Sequence, residues 1–373
     1  MANEFGAFHI MEKMNSIDGN EVASATALIV RIELSYRCNL RCRMCDFSLP
    51  AGPERMERAG SADDLSEAVF ERVCEEILPF TEECVVGVRA EPMMSRNFGQ
   101  RLTRIVQSGV PKVRMYTNGT LLTPESIALI CALNLWRITI SIDGLSAATF
   151  NDFRLGASFD HVRENVKALI ANRGSNRFPL IQWNFVMMRR NLRELPGLIT
   201  LAAEMGVDIV NAFHVVVHDG LNLNGESCLF CPEETNEVLE MAWAVAHATG
   251  VQLHAPRPQR ANIVAQELEN RHEDIVPDYE VPVDQRRNGP VCGKAWREMM
   301  VDHMGRVFPC VFWYKDPSLG DLSQQSFEDI WNGEAYRALR MADPYHIENF
   351  SCNHCPVAAD LLQQSLEESV FLP

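Results

Sequence analysis

The chain has 373 residues, 47% of them apolar, and a formal net charge of -16. The length predicts two or three domains with a full core. The acidic balance argues against nucleic acid, whose binders present a basic face, and no run of about 18 apolar residues offers a membrane-spanning helix.

Residues 1–25 form a polar leader, and Met1-Ala-Asn-Glu-Phe5 lacks the basic and apolar stretches of a signal peptide. Twelve cysteines without an export signal point to the reducing cytoplasm, where thiols serve metals rather than disulfides. The apolar run Ala27–Leu34 predicts a strand. Directly after it comes Cys38-Asn-Leu-Arg-Cys42-Arg-Met-Cys45, with the spacing C-x3-C-x2-C. Three thiolates on one short loop can hold three irons of a cubane and leave the fourth open to a small molecule. A ferredoxin cluster, held by four thiolates, has no such position. Catalytic zinc sites follow the same open-position logic. The alternatives are a zinc knuckle and cysteines buried as small hydrophobes. Zinc needs a fourth ligand nearby, and no His or Cys lies between Cys45 and Cys74.

Strand and helix signals then alternate. Predicted strands are Cys84–Val88, Lys112–Thr117, Arg137–Ile142, Leu180–Met187 and Asp208–Val216. Predicted helices are Ser66–Ile77, Phe98–Gln107, Pro124–Leu133, Phe159–Asn172 and Leu195–Glu204. β-Branched runs bounded by turn residues, with helices between them, predict an α/β fold with a parallel sheet. Ligands in such folds gather at the carboxyl ends of the strands. Those ends read Gly87-Val-Arg-Ala-Glu91-Pro92, Tyr116-Thr-Asn118-Gly119 and Ser141-Ile-Asp143-Gly144. Cys74, Cys84 and Cys131 sit in strand or helix patterns as buried small side chains.

Residues 26–218 are read as one domain and residues 219–285 as a connector with a helix at Glu233–Thr249. Residues 286–373 form a cysteine-rich module and tail. Within it stand Cys292, Cys310 and Cys352-Asn-His-Cys355, with Phe327-Glu-Asp-Ile-Trp331 between. Four thiolates suit either structural zinc or a closed iron–sulfur cluster. His354 is read as an exposed non-ligand. Cys228-Leu-Phe-Cys231 is either a hydrogen-atom donor or two loop thiols.

The triple cysteine and the strand-end series together resemble the radical S-adenosylmethionine (SAM) superfamily. The resemblance implies a partial (β/α)6 TIM-like barrel and a SAM-binding 4Fe–4S cluster on Cys38, Cys42 and Cys45. It also implies that SAM is cleaved to a 5'-deoxyadenosyl radical, with electrons from a flavodoxin or ferredoxin-type donor. Glu91 stands where the family's Gly-Gly-Glu segment holds the SAM amino group, although Arg89-Ala90 replace the glycines. By the same resemblance Ser141, Asn118 and Asp143 lie near the ribose or methionine. Arg154 approaches the carboxylate, Asn184 the ribose and Met44 the adenine. The C-terminal module resembles a twitch/SPASM extension, most of all that of 2-deoxy-scyllo-inosamine dehydrogenase. That implies one auxiliary 4Fe–4S cluster on Cys292, Cys310, Cys352 and Cys355.

Peptide-modifying relatives often carry a leader-recognition domain of about 80 residues, and only about 25 precede the first strand here. The expected substrate is therefore a small hydroxylated molecule: a sugar, aminocyclitol or aminoglycoside. Dehydrogenation is the first expectation, since a closed cluster can accept an electron. Epimerisation through Cys228 or Cys231 is the second, and peptide modification the third.

Overall fold

A computed structural model describes residues 28–45, 63–216, 220–221, 223–256, 294–313 and 316–341. The leader, Cys292, Cys352, His354 and Cys355 lie outside the described residues. The chain divides into two compact units. One comprises residues 1–37, 54–114 and 280–373, the other residues 38–53 and 115–279.

In the first unit, β1 (Leu28–Ile32) lies between β2 (Thr81–Val86) and β8 (Glu298–Val301), parallel to both. These strands are almost wholly buried, as parallel strands covered on both faces should be. β9 (Arg306–Phe308) and β10 (Gly320–Asp321) extend the order to β10-β9-β8-β1-β2, with antiparallel pairing. β2 begins three residues before the predicted Cys84. Its polar start is tolerated because Lys112 pairs Glu82 at 2.9 Å and Arg114 pairs Glu83 at 2.6 Å. The predicted helix Ser66–Ile77 is α1 (Glu67–Arg72), capped by Ser66, running into a wider π turn over Val73–Ile77. α2 (Phe98–Gln107) matches its predicted limits. Nearer the C-terminus come α8 (Lys294–Arg297), α9 (Phe327–Trp331) and α10 (Glu334–Met341). A reciprocal Ser326–Asp329 cap starts α9.

In the second unit the order is β3-β4-β5-β6-β7, from β3 (Lys112–Thr117), β4 (Arg137–Ser141), β5 (Leu180–Met187), β6 (Ile209–His214) and β7 (Gln252–His254). The pairs from β4 to β7 are all parallel. α3 (Pro124–Ala132), α4 (Ala147–Phe153), α5 (Phe159–Arg173), α6 (Leu195–Met205) and α7 (Pro232–Thr249) alternate with the strands. Thr123 and Ser126 cap α3 reciprocally, with Pro124 at its first position. Two elements of this unit were not predicted, nor were the strands and helices from Lys294 onward in the first unit. α4 has only seven residues, and β7 has three, two of them exposed. The chain is an α/β protein with a parallel sheet. Among the described residues no helix is long and apolar enough to cross a membrane.

Candidate active site

The three-cysteine loop belongs to the second unit, as do most of the predicted site residues. Two backbone bonds pin it to the end of α4: Arg41 N–H donates to Leu155 O and Arg43 N–H to Phe153 O, both at 2.9 Å. Cys42 is buried, while Cys38 and Cys45 are half-buried. The Cys45 amide donates to Cys42 O at 3.2 Å, closing a tight turn. Met44 packs against an apolar cluster of Phe153, Met188, Val215 and Leu223. An apolar wall thus stands beside the third cysteine.

A strand end and a helix end reach the sulfurs. Asn118, just after β3, donates from Nδ2 to Cys38 Sγ at 4.0 Å and to Asn39 Oδ1 at 2.9 Å. Gly119 follows with φ +77°, and a Cβ there would lie 3.0 Å from Ile140 and Val162. This is a backbone position that glycine alone fills without strain. Arg154, at the end of α4, donates from Nη1 to Cys42 Sγ at 3.8 Å. Its Nε and Nη2 grip Asp143 Oδ2 at 2.6 and 2.5 Å. The other Asp143 oxygen accepts from Val186 N–H at 2.7 Å. Asp143 is fully buried and Arg154 nearly so. Burial pushes the Cys42 thiol up, while the neighbouring Arg154 charge pulls it back towards the thiolate. Burial likewise raises Asp143 against the pull of Arg154.

β-Sheet register sets Ser141, Asn184 and Asn211 opposite one another on β4, β5 and β6. Asn184 Oδ1 accepts from Gln182 at 2.7 Å and Asn211 at 3.1 Å. Ser141 is half-buried at the end of β4. Asn211 was not anticipated; its register with Asn184 is the signal, and register becomes visible only in the folded sheet.

Glu91 belongs to the first unit. It is 1% exposed, its amide donates to Arg37 O at 3.0 Å, and its carboxylate caps the short turn Pro92–Met94 by accepting from Met93 N–H at 3.3 Å. Glu33 was missed. Its carboxylate accepts from the amides of Val88 at 2.7 Å, Arg89 at 2.5 Å and Ala90 at 3.5 Å. It therefore holds the segment that departs from the family's glycines. A lone carboxylate between Ile32 and Leu34 at a strand end was the available clue. Burial pushes it up to about 7, against these donors and Arg89. Arg89 itself donates to Val311 O at 3.4 Å, one residue from Cys310.

Cys228 lies fully buried in a turn before α7, and burial pushes its thiol up to about 12. Cys231 is half-buried, with Sγ 3.5 Å from Cys228 O. Cys74 and Cys84 are buried, as expected, and Cys131 is half-buried. An ion-pair chain also escaped the sequence reading. Arg43, inside the cysteine loop, pairs with Asp152 at 2.9 Å; Asp152 pairs with Arg190 at 3.0 Å; and Arg190 pairs with Glu226.

The donor set suits an iron–sulfur cluster. Among the described residues no three His, Cys, Asp or Glu side chains converge on one point, as a single ion requires. Thiolates of a cubane each take a different iron, and hydrogen bonds to their sulfurs tune the cluster. A family model described as the radical SAM superfamily matches residues 32–218. The chain belongs to this superfamily. A second model, an iron–sulfur cluster-binding domain named SPASM, matches residues 292–356. This radical SAM enzyme accordingly uses SAM, a SAM-binding 4Fe–4S cluster and an auxiliary cluster.

Its sequence is 28% identical to an AdoMet-dependent heme synthase of Methanosarcina barkeri, over 88% of each chain. It is 23% identical to AlbA, a subtilosin biosynthesis protein of Bacillus subtilis, over 87% of this chain and 64% of that one. Streptococcus suis SuiB, solved bound to its precursor peptide SuiA, shares the fold. Its TM-score is 0.63 at 13% identity, covering 96% of this chain and 74% of SuiB.

Proposed function

We propose that this radical SAM enzyme oxidises a small hydroxylated substrate, converting a CH–OH centre to a ketone. The observation that carries the reading is the four-cysteine set Cys292, Cys310, Cys352 and Cys355 within the SPASM match. Four thiolates close a cluster to ligands and suit it to electron transfer. When bound, the cluster on Cys38, Cys42 and Cys45 with SAM supplies a 5'-deoxyadenosyl radical, and the second cluster supplies a one-electron acceptor. Asn118 holds one of the first loop's sulfurs from the end of β3 and Arg154 another from the end of α4, and Asp143 fixes the Arg154 fork. Met44 and its apolar neighbours keep water from one side of the loop. Ser141, Asn184 and Asn211 offer a row of neutral donors and acceptors suited to ribose or substrate hydroxyls. Glu91 keeps its assignment to the SAM amino group, on a segment held by Glu33.

The test is turnover of sugars, aminocyclitols and aminoglycosides by anaerobic holoenzyme in heavy water, reduced by flavodoxin or ferredoxin. A ketone formed alongside 5'-deoxyadenosine supports the reading. Deuterium uptake with unchanged redox state sinks it in favour of epimerisation. In that case Cys228 or Cys231 is the donor, and a thiol held near 12 is the neutral S–H that donation needs. A second reading rests on the alignment with the heme synthase: a tetrapyrrole precursor of heme as substrate. AlbA and SuiB support a third, a peptide substrate. Both join the same panel.

A further inference from the structure

One row of side chains inside the second unit has a direction built into it. Across β4, β5 and β6 the register sets Thr139 opposite Gln182, Ser141 opposite Asn184, and Asn184 opposite Asn211. Side chains two apart on a strand share a face, so Arg137 stands on the same face of β4 as Thr139 and Ser141. Arg137 Nη1 donates to Gln182 Oε1 at 2.6 Å, and Gln182 Nε2 to Asn184 Oδ1 at 2.7 Å. Asn211 Nδ2 donates to the same Asn184 oxygen at 3.1 Å. Gln182 is 2% exposed and Asn184 9%.

The two ends of an amide match in shape, so its partners decide which way it faces. A guanidinium can only donate. Arg137 therefore takes the Gln182 oxygen, which turns the Gln182 nitrogen towards Asn184. Asn184 answers with its oxygen, and Asn211 meets that oxygen with its nitrogen. Turning any one of these amides over would set donor against donor, or oxygen against oxygen, in a largely buried row. Two atoms are left over: Asn184 Nδ2, a donor, and Asn211 Oδ1, an acceptor. Neither meets a protein partner among the described residues. Neither is sealed in, either. The buried side-chain atoms without a partner include Thr139 Oγ1, two residues nearer the start of β4 than Ser141, but not these two.

We propose that Arg137 and Gln182 are positioning residues that fix Asn184 as a donor and Asn211 as an acceptor towards a bound vicinal diol. One hydroxyl oxygen of the diol accepts from Asn184, and its neighbour donates to Asn211. Two sources can supply that diol: the ribose of SAM, or a sugar-like substrate. The second source rests on the oxidation proposed above; the direction of the row does not.

The test is calorimetry on the full-length anaerobic holoenzyme, with SAM and its 2'-deoxy and 3'-deoxy analogues as probes. Gln182→Glu keeps an acceptor for Arg137 but takes the donor away from Asn184, which frees that amide to turn over. Asn184→Asp keeps an oxygen for Gln182 and Asn211 but shows the ligand no donor. If the ribose is the diol, wild type should bind SAM about tenfold tighter than at least one deoxy analogue, and both variants should erase that margin. If the substrate is the diol, SAM affinity should stay at wild type while KM for the oxidised sugar or aminocyclitol rises about tenfold in both variants. Melting temperature and iron content check that the variants fold and load. A row that only holds the sheet together would lower the melting temperature and leave the deoxy margin and KM in place. Should either variant fail to load iron, Asn211→Ala, which removes the acceptor, carries the same expectation. The proposal fails if loaded variants keep wild-type SAM affinity and wild-type KM. Where no sugar or aminocyclitol is turned over, the SAM margin alone decides. A failed ketone assay beside an erased ribose margin would overturn the oxidation reading and leave this one standing.

Discussion

Removing the Arg154 guanidinium would leave Asp143 buried with only the Val186 amide beside it. Breaking a buried pair from one side typically costs ~3–5 kcal/mol. Arg154→Met should therefore lower stability by about that amount and loosen Cys42, read as a lower denaturation midpoint and reduced iron retention. Wild-type values for both would show that the pair holds nothing. Glu33 makes the pH prediction. Its carboxyl is raised from 4.5 to about 7 in the folded chain, so the folded state binds its proton more tightly than the unfolded state. The stability it contributes is complete below the ordinary carboxyl value and is lost as pH rises through about 7. Urea midpoints at about pH 5 and about pH 8 should fall more in wild type than in Glu33→Gln. Equal slopes would refute the assignment. Residue types at Cys38, Cys42 and Cys45 were legible because their spacing along the chain is the signal. Glu33 was not, because a carboxylate's partners are backbone amides 55 residues away or more.

At the scale of elements, α4 carries Arg154 at its end and begins against Gly144. A Cβ on Gly144 would stand 2.6 Å from the Phe150 amide nitrogen, a backbone atom that cannot rotate away. Gly144→Ala should shift α4, cost ~1–3 kcal/mol and weaken SAM binding in isothermal titration. Unchanged SAM affinity would mean that the helix tolerates the shift without moving the Arg154 fork. Long β-branched strands and capped helices showed themselves in the sequence, and β3, β5 and α2 kept their predicted limits. α4 and β7 did not, since seven and three residues are too short for a periodic pattern. The start of β2 was hidden for another reason: its glutamates look like loop until ion pairs neutralise them.

For the whole molecule, the two domain matches predict two separable redox sites. Anaerobically loaded protein should hold about eight irons, and changing Cys38, Cys42 and Cys45 to Ala should leave about four and abolish SAM cleavage. A triple variant that still forms 5'-deoxyadenosine would refute the assignment of the loop. Replacing Cys352 and Cys355 should depress substrate oxidation more than SAM cleavage, measured as product against 5'-deoxyadenosine. Equal losses would argue against a separate electron role. The sequence alone determined the chemistry class, because ligand spacing and strand-end motifs are local and survive without coordinates. It determined the alternation of strands and helices for the same reason, since hydrophobic period is a property of neighbours in the chain. The tertiary structure alone decided which groups meet: Arg154 with both Asp143 and Cys42, Asn211 beside Asn184, and Glu33 with the amides of Val88, Arg89 and Ala90. Such pairings depend on register and burial between distant segments, and burial makes an unpartnered charge or polar group costly, so the folded chain brings partners to it.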